Sequence, residues 1–362
     1  MRRTRWTALV AVLVLGGGLL AGCTDERDGS CEATSARFAW ATPAPAEDAR
    51  FDLTGPGWIG GDSTYSVRLP DDRTLWLFSD SFIGEVSSGR PAPGMAMVHN
   101  ALVAESESGR LSTRTSAGPE SFFPDPSDDS YYWVQDAVVQ GDELVVFLSL
   151  TRQVSGQAGG QGFAWERNAM ARVSLPDLKV TEIIDPGDAS DHVAWGAGVM
   201  STPTHTYVYG VEDLEATKHL HLARVPAGNL TDRSRWEYRT QDGWSDVTQS
   251  ARLTDGVANE LSVTRYRDGY LMISSDTSAP FSPKIQAWTA CAPEGPWQDP
   301  QTIYETPESG VGQHFTYNAH GHPEISRDGE LLISYNVNTF DFGELQRDPT
   351  LYRPKFITLD LE

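Results

Sequence analysis

A hairpin signature that returns five times constrains this chain most. Apolar strands run Leu75–Asp80, Leu144–Ser149, Thr206–Gly210, Tyr270–Ser275 and Leu331–Asn336, and their starts lie 60 to 70 residues apart. A turn former precedes each one: Asp71-Asp72, Gly141-Asp142, Thr202-Pro203, Asp268-Gly269 and Asp328-Gly329. Short strands at regular spacing with almost no helical periodicity indicate an all-β protein built from repeated sheets. Five repeats fill the chain, so the expected architecture is a five-bladed β-propeller, with an irregular β-sandwich as the alternative.

In the first repeat, Trp58 to Gly84, alternating apolar residues flank a polar turn at Pro70, Asp71 and Asp72. A turn centred on Asp71 sets Asp62 opposite Asp80. Directly opposed residues of an antiparallel pair share a face, where like charges are destabilising. Two carboxylates so placed read as an acid pair with pKa values driven apart, as glycoside hydrolysis requires, or as ordinary surface aspartates. A close pair would favour a retaining course.

In a propeller the starts of the leading strands gather at one face. Here these are Gly60-Gly61-Asp62, Trp133–Asp136, Trp195–Gly198, Asn259-Glu260 and Asn318–His322. Trp58, Asp136, Trp195, Glu260, Tyr317, His320 and His322 form the candidate substrate-binding set. Each has a structural alternative. Tryptophans pack between blades as readily as they stack on sugars, and Asp136 and Glu260 suit turns or blade edges. His320 and His322 share a strand face, but no third ligand of defined spacing accompanies them, so no metal site is assigned. No cofactor is required, although a polar central channel leaves room for a structural cation. No G-x-S-x-G, Walker or H-E-x-x-H motif is present.

The N-terminus carries Arg2, Arg3 and Arg5, an apolar run from Ala8 to Leu20, and Leu20-Ala21-Gly22-Cys23. This predicts a lipoprotein signal peptide over 1–22 with lipidation at Cys23, a flexible tether over 23–49, and one domain over 50–362. Such a protein would sit at the extracellular face of the membrane, held by its lipid alone. The remaining cysteines, Cys31 and Cys291, are expected to form a disulfide in that oxidising compartment, with two free thiols as the alternative. A formal net charge of -22 argues against nucleic acid as a partner. The expected partner is a cell-envelope or environmental polysaccharide, met by a monomer.

Gly60-Gly-Asp62-Ser-Thr64, Trp76-Leu-Phe-Ser-Asp80-Ser-Phe82 and Tyr317-Asn-Ala-His-Gly-His-Pro-Glu324 resemble secreted actinobacterial five-bladed propellers formerly of unknown function, some of them endo-D-arabinanases. The resemblance implies catalysis by Asp62, as nucleophile or base, and Asp80, as general acid. Ser79 departs from the phenylalanine or glycine usual there, and the middle repeats match no motif. The resulting expectation is a lipid-anchored glycoside hydrolase acting on arabinan or another furanoside-rich polysaccharide. The alternatives are a non-catalytic carbohydrate- or wall-binding propeller and an envelope assembly factor.

Overall fold

A computed structural model describes residues 31–114, 119–154, 162–185 and 192–362. The expected signal peptide over 1–22 and the expected lipidation site at Cys23 lie outside the described residues. Among those described, the chain is almost entirely β, and no helix is long and apolar enough to cross a membrane.

The strands form seven sheets rather than the five expected. Five are large, and each contains one of the recurring hairpins. The first joins Tyr65–Arg68, Thr74–Phe78, Ala101–Glu105 and Leu111–Arg114, and the second runs in order from Ser130–Gln140 to Lys179–Ile184. The third begins at Val193–Ser201, the fourth at Leu261–Tyr266 and the fifth at His314–Gly321. These leading strands pack on one another in succession. His320 of the last, and His322 just beyond its end, meet Tyr65 and Ser66 of the first, His320 by ring contact at 4.7 Å and His322 by a 2.6 Å hydrogen bond.

The two extra sheets are small: Gly57–Gly61 with Ser81–Gly84 and Ala96–Val98, and the pair Val86–Ser87 with Arg90–Pro91. The first arises because the opening hairpin breaks in two. Its register is the one the turn at Asp71-Asp72 sets, with Tyr65 opposite Leu77, Arg68 opposite Thr74 and, beyond the break, Gly61 opposite Ser81. At the break Ser63 and Thr64 adopt φ of 73° and 65°. Left-handed backbone is uncommon outside glycine and unusual for a β-branched residue, so the chain is strained as it passes from one sheet to the other.

Residues 31–49 are not the loose tether expected. Cys31 is bonded to Cys291, with Cα atoms 5.6 Å apart, and the amides of Glu32 and Ala33 donate to the Asp268 carboxylate. Thr42–Pro43 then adds an outer strand to the fifth sheet by pairing with Thr358 and Ile357. A proline is tolerated there because an edge strand does not need its N–H. Alanine-rich sequence reads as linker, yet Ala33, Ala36 and Ala41 are buried in the apolar core of the last sheets.

Candidate active site

The break in the opening hairpin carries the two aspartates. The Asp62 amide donates to the Asp80 carbonyl at 3.1 Å, and the Ser79 amide donates to the Asp62 carbonyl at 3.0 Å. The residues are thus cross-strand neighbours, whose Cβ atoms lie ~4.5–5.5 Å apart in such pairs. Gly60 and Gly61 make room for this. A Cβ on Gly60 would stand 2.6 Å from the Pro349 carbonyl oxygen, and one on Gly61 would stand 2.4 Å from Ser81 Oγ.

From that common origin the side chains turn to different partners. Asp62 Oδ2 accepts hydrogen bonds from the hydroxyls of Tyr317 and Tyr352, each at 2.6 Å, while its buried Oδ1 has no hydrogen-bond partner. Asn338 Nδ2 donates to the Tyr317 hydroxyl at 3.1 Å and fixes it. Burial and then the nearby Asp80 charge push the Asp62 pKa up to about 7, against the pull of the two tyrosines. Asp80 Oδ1 accepts from the Trp133 indole at 2.9 Å and from His99 Nδ1 at 3.1 Å. Burial opposes charge on His99, but the Asp80 carboxylate outweighs it and raises the imidazole pKa.

Tyr352, His99 and Ser63 were not singled out from sequence. Tyr352 arrives from the excursion between Glu330–Thr339 and Lys355–Asp360, which forms the short helices Phe342–Arg347 and Pro349–Tyr352. Glu344 ties the first of these to the sheet, accepting from His314 Nε2 at 3.1 Å and from the Thr339 hydroxyl at 2.9 Å. Ser63 links the pair to the interior: its hydroxyl donates to Glu260 Oε1 at 2.8 Å and lies 2.9 Å from Ser79 Oγ.

The rest of the candidate set divides. Tyr317 touches an acid directly. Glu260 stands behind it, buried, with Oε2 unpartnered and a pKa raised well above the usual range by burial and by Asp62. Asp136 does not face a ligand, since Oδ1 accepts from the Ala137 amide at 2.7 Å and Oδ2 from Val199 of the next sheet at 2.6 Å. It sits in a bulge between Val134 and Ala137, where burial lifts its pKa to about 8.

Trp58 and Trp195 are 1% exposed and pack among aromatic rings, Trp58 at 4.5 Å from Phe78 and Trp195 at 5.6 Å from Tyr238. They are core residues rather than sugar platforms. His320 and His322 are also interior. His322 bonds Ser66 and, at 2.8 Å, Ser334, while burial lowers the His320 pKa to about 3. Glu324, at the end of the same motif, is exposed and takes a hydrogen bond from Ser66. No group of three or more His, Cys, Asp or Glu among the described residues could hold a metal ion.

Comparison with known proteins agrees with this fold. Residues 49–360 match a family model described as Domain of unknown function (DUF5005). No curated protein matches. Among solved structures, a provisionally assigned hydrolase from Bacteroides ovatus superposes with a TM-score of 0.72 at 20% identity, over 88% of this chain and 90% of that one. An exo-β-1,3-galactanase from Clostridium thermocellum gives 0.50 at 13% identity over 86% of this chain, which spans only 62% of the galactanase. A GH43 protein from Bacillus licheniformis gives 0.47 at 12% identity, over 88% of this chain and 54% of that one.

Proposed function

The chain belongs to the DUF5005 family, whose description assigns no chemistry, and we propose from its site that it is a glycoside hydrolase. The observation that carries this reading is the divergence of two neighbouring carboxyls. Asp62 has a pKa of about 7 and two hydroxyl donors, whereas Asp80 is met by two ring N–H groups. An acid poised near neutrality beside a carboxylate held by N–H donors is the arrangement that glycosidic bond cleavage uses.

The roles are then the reverse of those expected from sequence. Asp62 gives its proton to the glycosidic oxygen as the C–O bond breaks, and the Asp80 carboxylate attacks the anomeric carbon. Asp62, now ionised, takes a proton from the water that displaces Asp80. Neighbouring placement favours this retaining course, since retaining pairs stand ~5–5.5 Å apart. Tyr317 and Tyr352 remain protonated, because burial and the Asp62 charge raise both their pKa values, and they orient Asp62 through the cycle.

In this proposal the five large sheets are the blades of a five-bladed propeller, and the small sheets are insertions at the break. The substrate is a furanoside-rich polysaccharide, arabinan foremost, outside the cell. Cys23 carries the lipid, and the Cys31–Cys291 bond begins the folded body eight residues later. No cofactor enters the reaction, and the protein acts as a monomer.

The test is incubation of the protein with arabinan, arabinogalactan, xylan and β-1,3-galactan, read out by released oligosaccharides. Asp62→Asn and Asp80→Asn are each expected to lose about a hundredfold or more while keeping the wild-type circular dichroism. Full activity in either variant removes that residue from the mechanism. Absence of cleavage of every polymer, with binding retained, would leave the non-catalytic carbohydrate-binding reading.

A further inference from the structure

Two residues before Tyr317 on the same strand lies Phe315, and residues at that spacing share a strand face. Their rings are 5.5 Å apart, while the Tyr317 hydroxyl is on Asp62. Phe315 is the floor of a three-ring cluster, with Phe281 at 4.2 Å and Phe340 at 4.5 Å. Phe281 and Phe340 are 36% and 60% exposed. Exposed rings packed on one another rather than scattered singly mark a binding surface.

The cluster is also built at a cost. Phe281 has φ of 51°, a conformation that bulky residues avoid. The loop holding it there is organised by Asp276, which accepts from the Ser278 amide at 3.0 Å, the Ser278 hydroxyl at 2.7 Å and the Ser282 hydroxyl at 2.6 Å. The strained backbone holds the partly exposed Phe281 ring against Phe315 and Phe340.

Asp80 is flanked by a second aromatic group. Trp133 packs at 4.5 Å on Phe163, and His99 stacks at 3.8 Å on Tyr131. Each carboxyl therefore connects by hydrogen bonds to its own set of rings, Asp62 through Tyr317 and Asp80 through Trp133 and His99.

We propose that Phe281, Phe315 and Phe340 form a shelf for one glycosyl ring of a neutral polysaccharide chain whose neighbouring linkage lies at Asp62 and Asp80. The inference rests on the glycan reading of the acid pair. Phenyl rings offer a face and no hydrogen bond, which suits the apolar face of a sugar ring. Asp341 beside Phe340 is paired with Arg347 and Glu344 with His314, so it is the net charge of -22 that disfavours uronic acids.

The experiment is affinity electrophoresis of the full chain carrying Asp62→Asn, so that turnover plays no part, through gels containing arabinan, β-1,3-galactan or polygalacturonate. Retardation is expected with a neutral polymer and not with polygalacturonate. Phe340→Ser and Phe281→Asn are each expected to weaken binding about fivefold or more, with Phe340→Trp retaining it. Asparagine is at home at positive φ, so Phe281→Asn relieves the backbone while removing the ring, and its thermal midpoint checks that the protein is folded. Wild-type-like binding by folded Phe340→Ser and Phe281→Asn, retardation by polygalacturonate alone, or no retardation at all overturns the shelf. Failure of the hydrolase reading looks different: the wild-type chain is retarded and releases no oligosaccharide.

Discussion

Asp62 has one crowded oxygen and one bare one, and its chemistry turns on that asymmetry. The Tyr317 and Tyr352 hydroxyls stabilise the anion through Oδ2, while burial and Asp80 oppose it and prevail, leaving a pKa of about 7. As a general acid Asp62 works only while protonated, so kcat/KM is expected to fall as pH rises through about 7. Tyr352→Phe removes one of the two donors to the anion. The falling limb should therefore move to higher pH, with a loss in kcat of about tenfold from poorer orientation. A limb unchanged in Tyr352→Phe would mean that Asp62 is not the group that sets it. Glu260→Gln is the control. The Asp62 charge raises Glu260, so the rear carboxyl still holds its proton when Asp62 ionises, and a neutral amide in its place is expected to leave the limb where it is.

The opening hairpin shows at the level of elements what sequence can and cannot disclose. Its register was legible because Asp71-Asp72 is a turn that fixes every later pairing, and Asp62 met Asp80 as a consequence. Its division into two sheets was not legible, since Ser63 and Thr64 are poor signals for left-handed backbone and their strain is held by distant partners such as Asn338's neighbour Asn336, which donates to Thr64 Oγ1 at 3.0 Å. Tryptophan content could not separate core from platform either, and only packing shows Trp58 and Trp195 to be interior. Tyr352 was invisible because its helix is docked from far along the chain, with Gly60 as the contact point. Gly60→Ala tests that docking: a methyl group 2.6 Å from the Pro349 carbonyl and 3.0 Å from that of Tyr352 must displace the helix. A destabilisation of about 1–3 kcal/mol is expected, measured by denaturant titration, together with loss of activity toward the Tyr352→Phe level. An alanine variant as stable and active as the parent would show the helix to be free to move.

Across the whole molecule the buried titratable groups pull in two directions, and their balance fixes the pH of greatest stability. Burial lifts Asp62 to about 7 and Asp136 to about 8, and raises Glu260 well above the usual range. A carboxyl raised above its unfolded value of ~4 keeps its proton longer in the folded state, so its share of stability is full below ~4 and is lost as pH climbs through the folded pKa. His320, lowered to about 3, and His322, lowered as well, work oppositely. Their share is full above the unfolded value of ~6.5 and is lost as pH falls toward the folded one. Between ~4.5 and ~6.5 the folded chain holds protons on three carboxyls that the unfolded chain has lost and lacks them on two imidazoles that the unfolded chain keeps, so the carboxyls outweigh the imidazoles; from ~6.5 to ~8 the carboxyls act alone. The thermal midpoint is therefore expected to fall as pH rises from 5 to 8, most steeply above 6.5, whereas many proteins are steady across that range. Asp136→Asn separates this from the repulsion of a highly acidic surface. It removes one buried carboxyl whose hydrogen-bond partners are backbone amides, yet its amide can accept only one of the two backbone N–H bonds. Its midpoint should lie below that of the parent at pH 5 and approach it at pH 8. A constant gap between the two curves would assign the slope to surface charge and remove Asp136 from the balance.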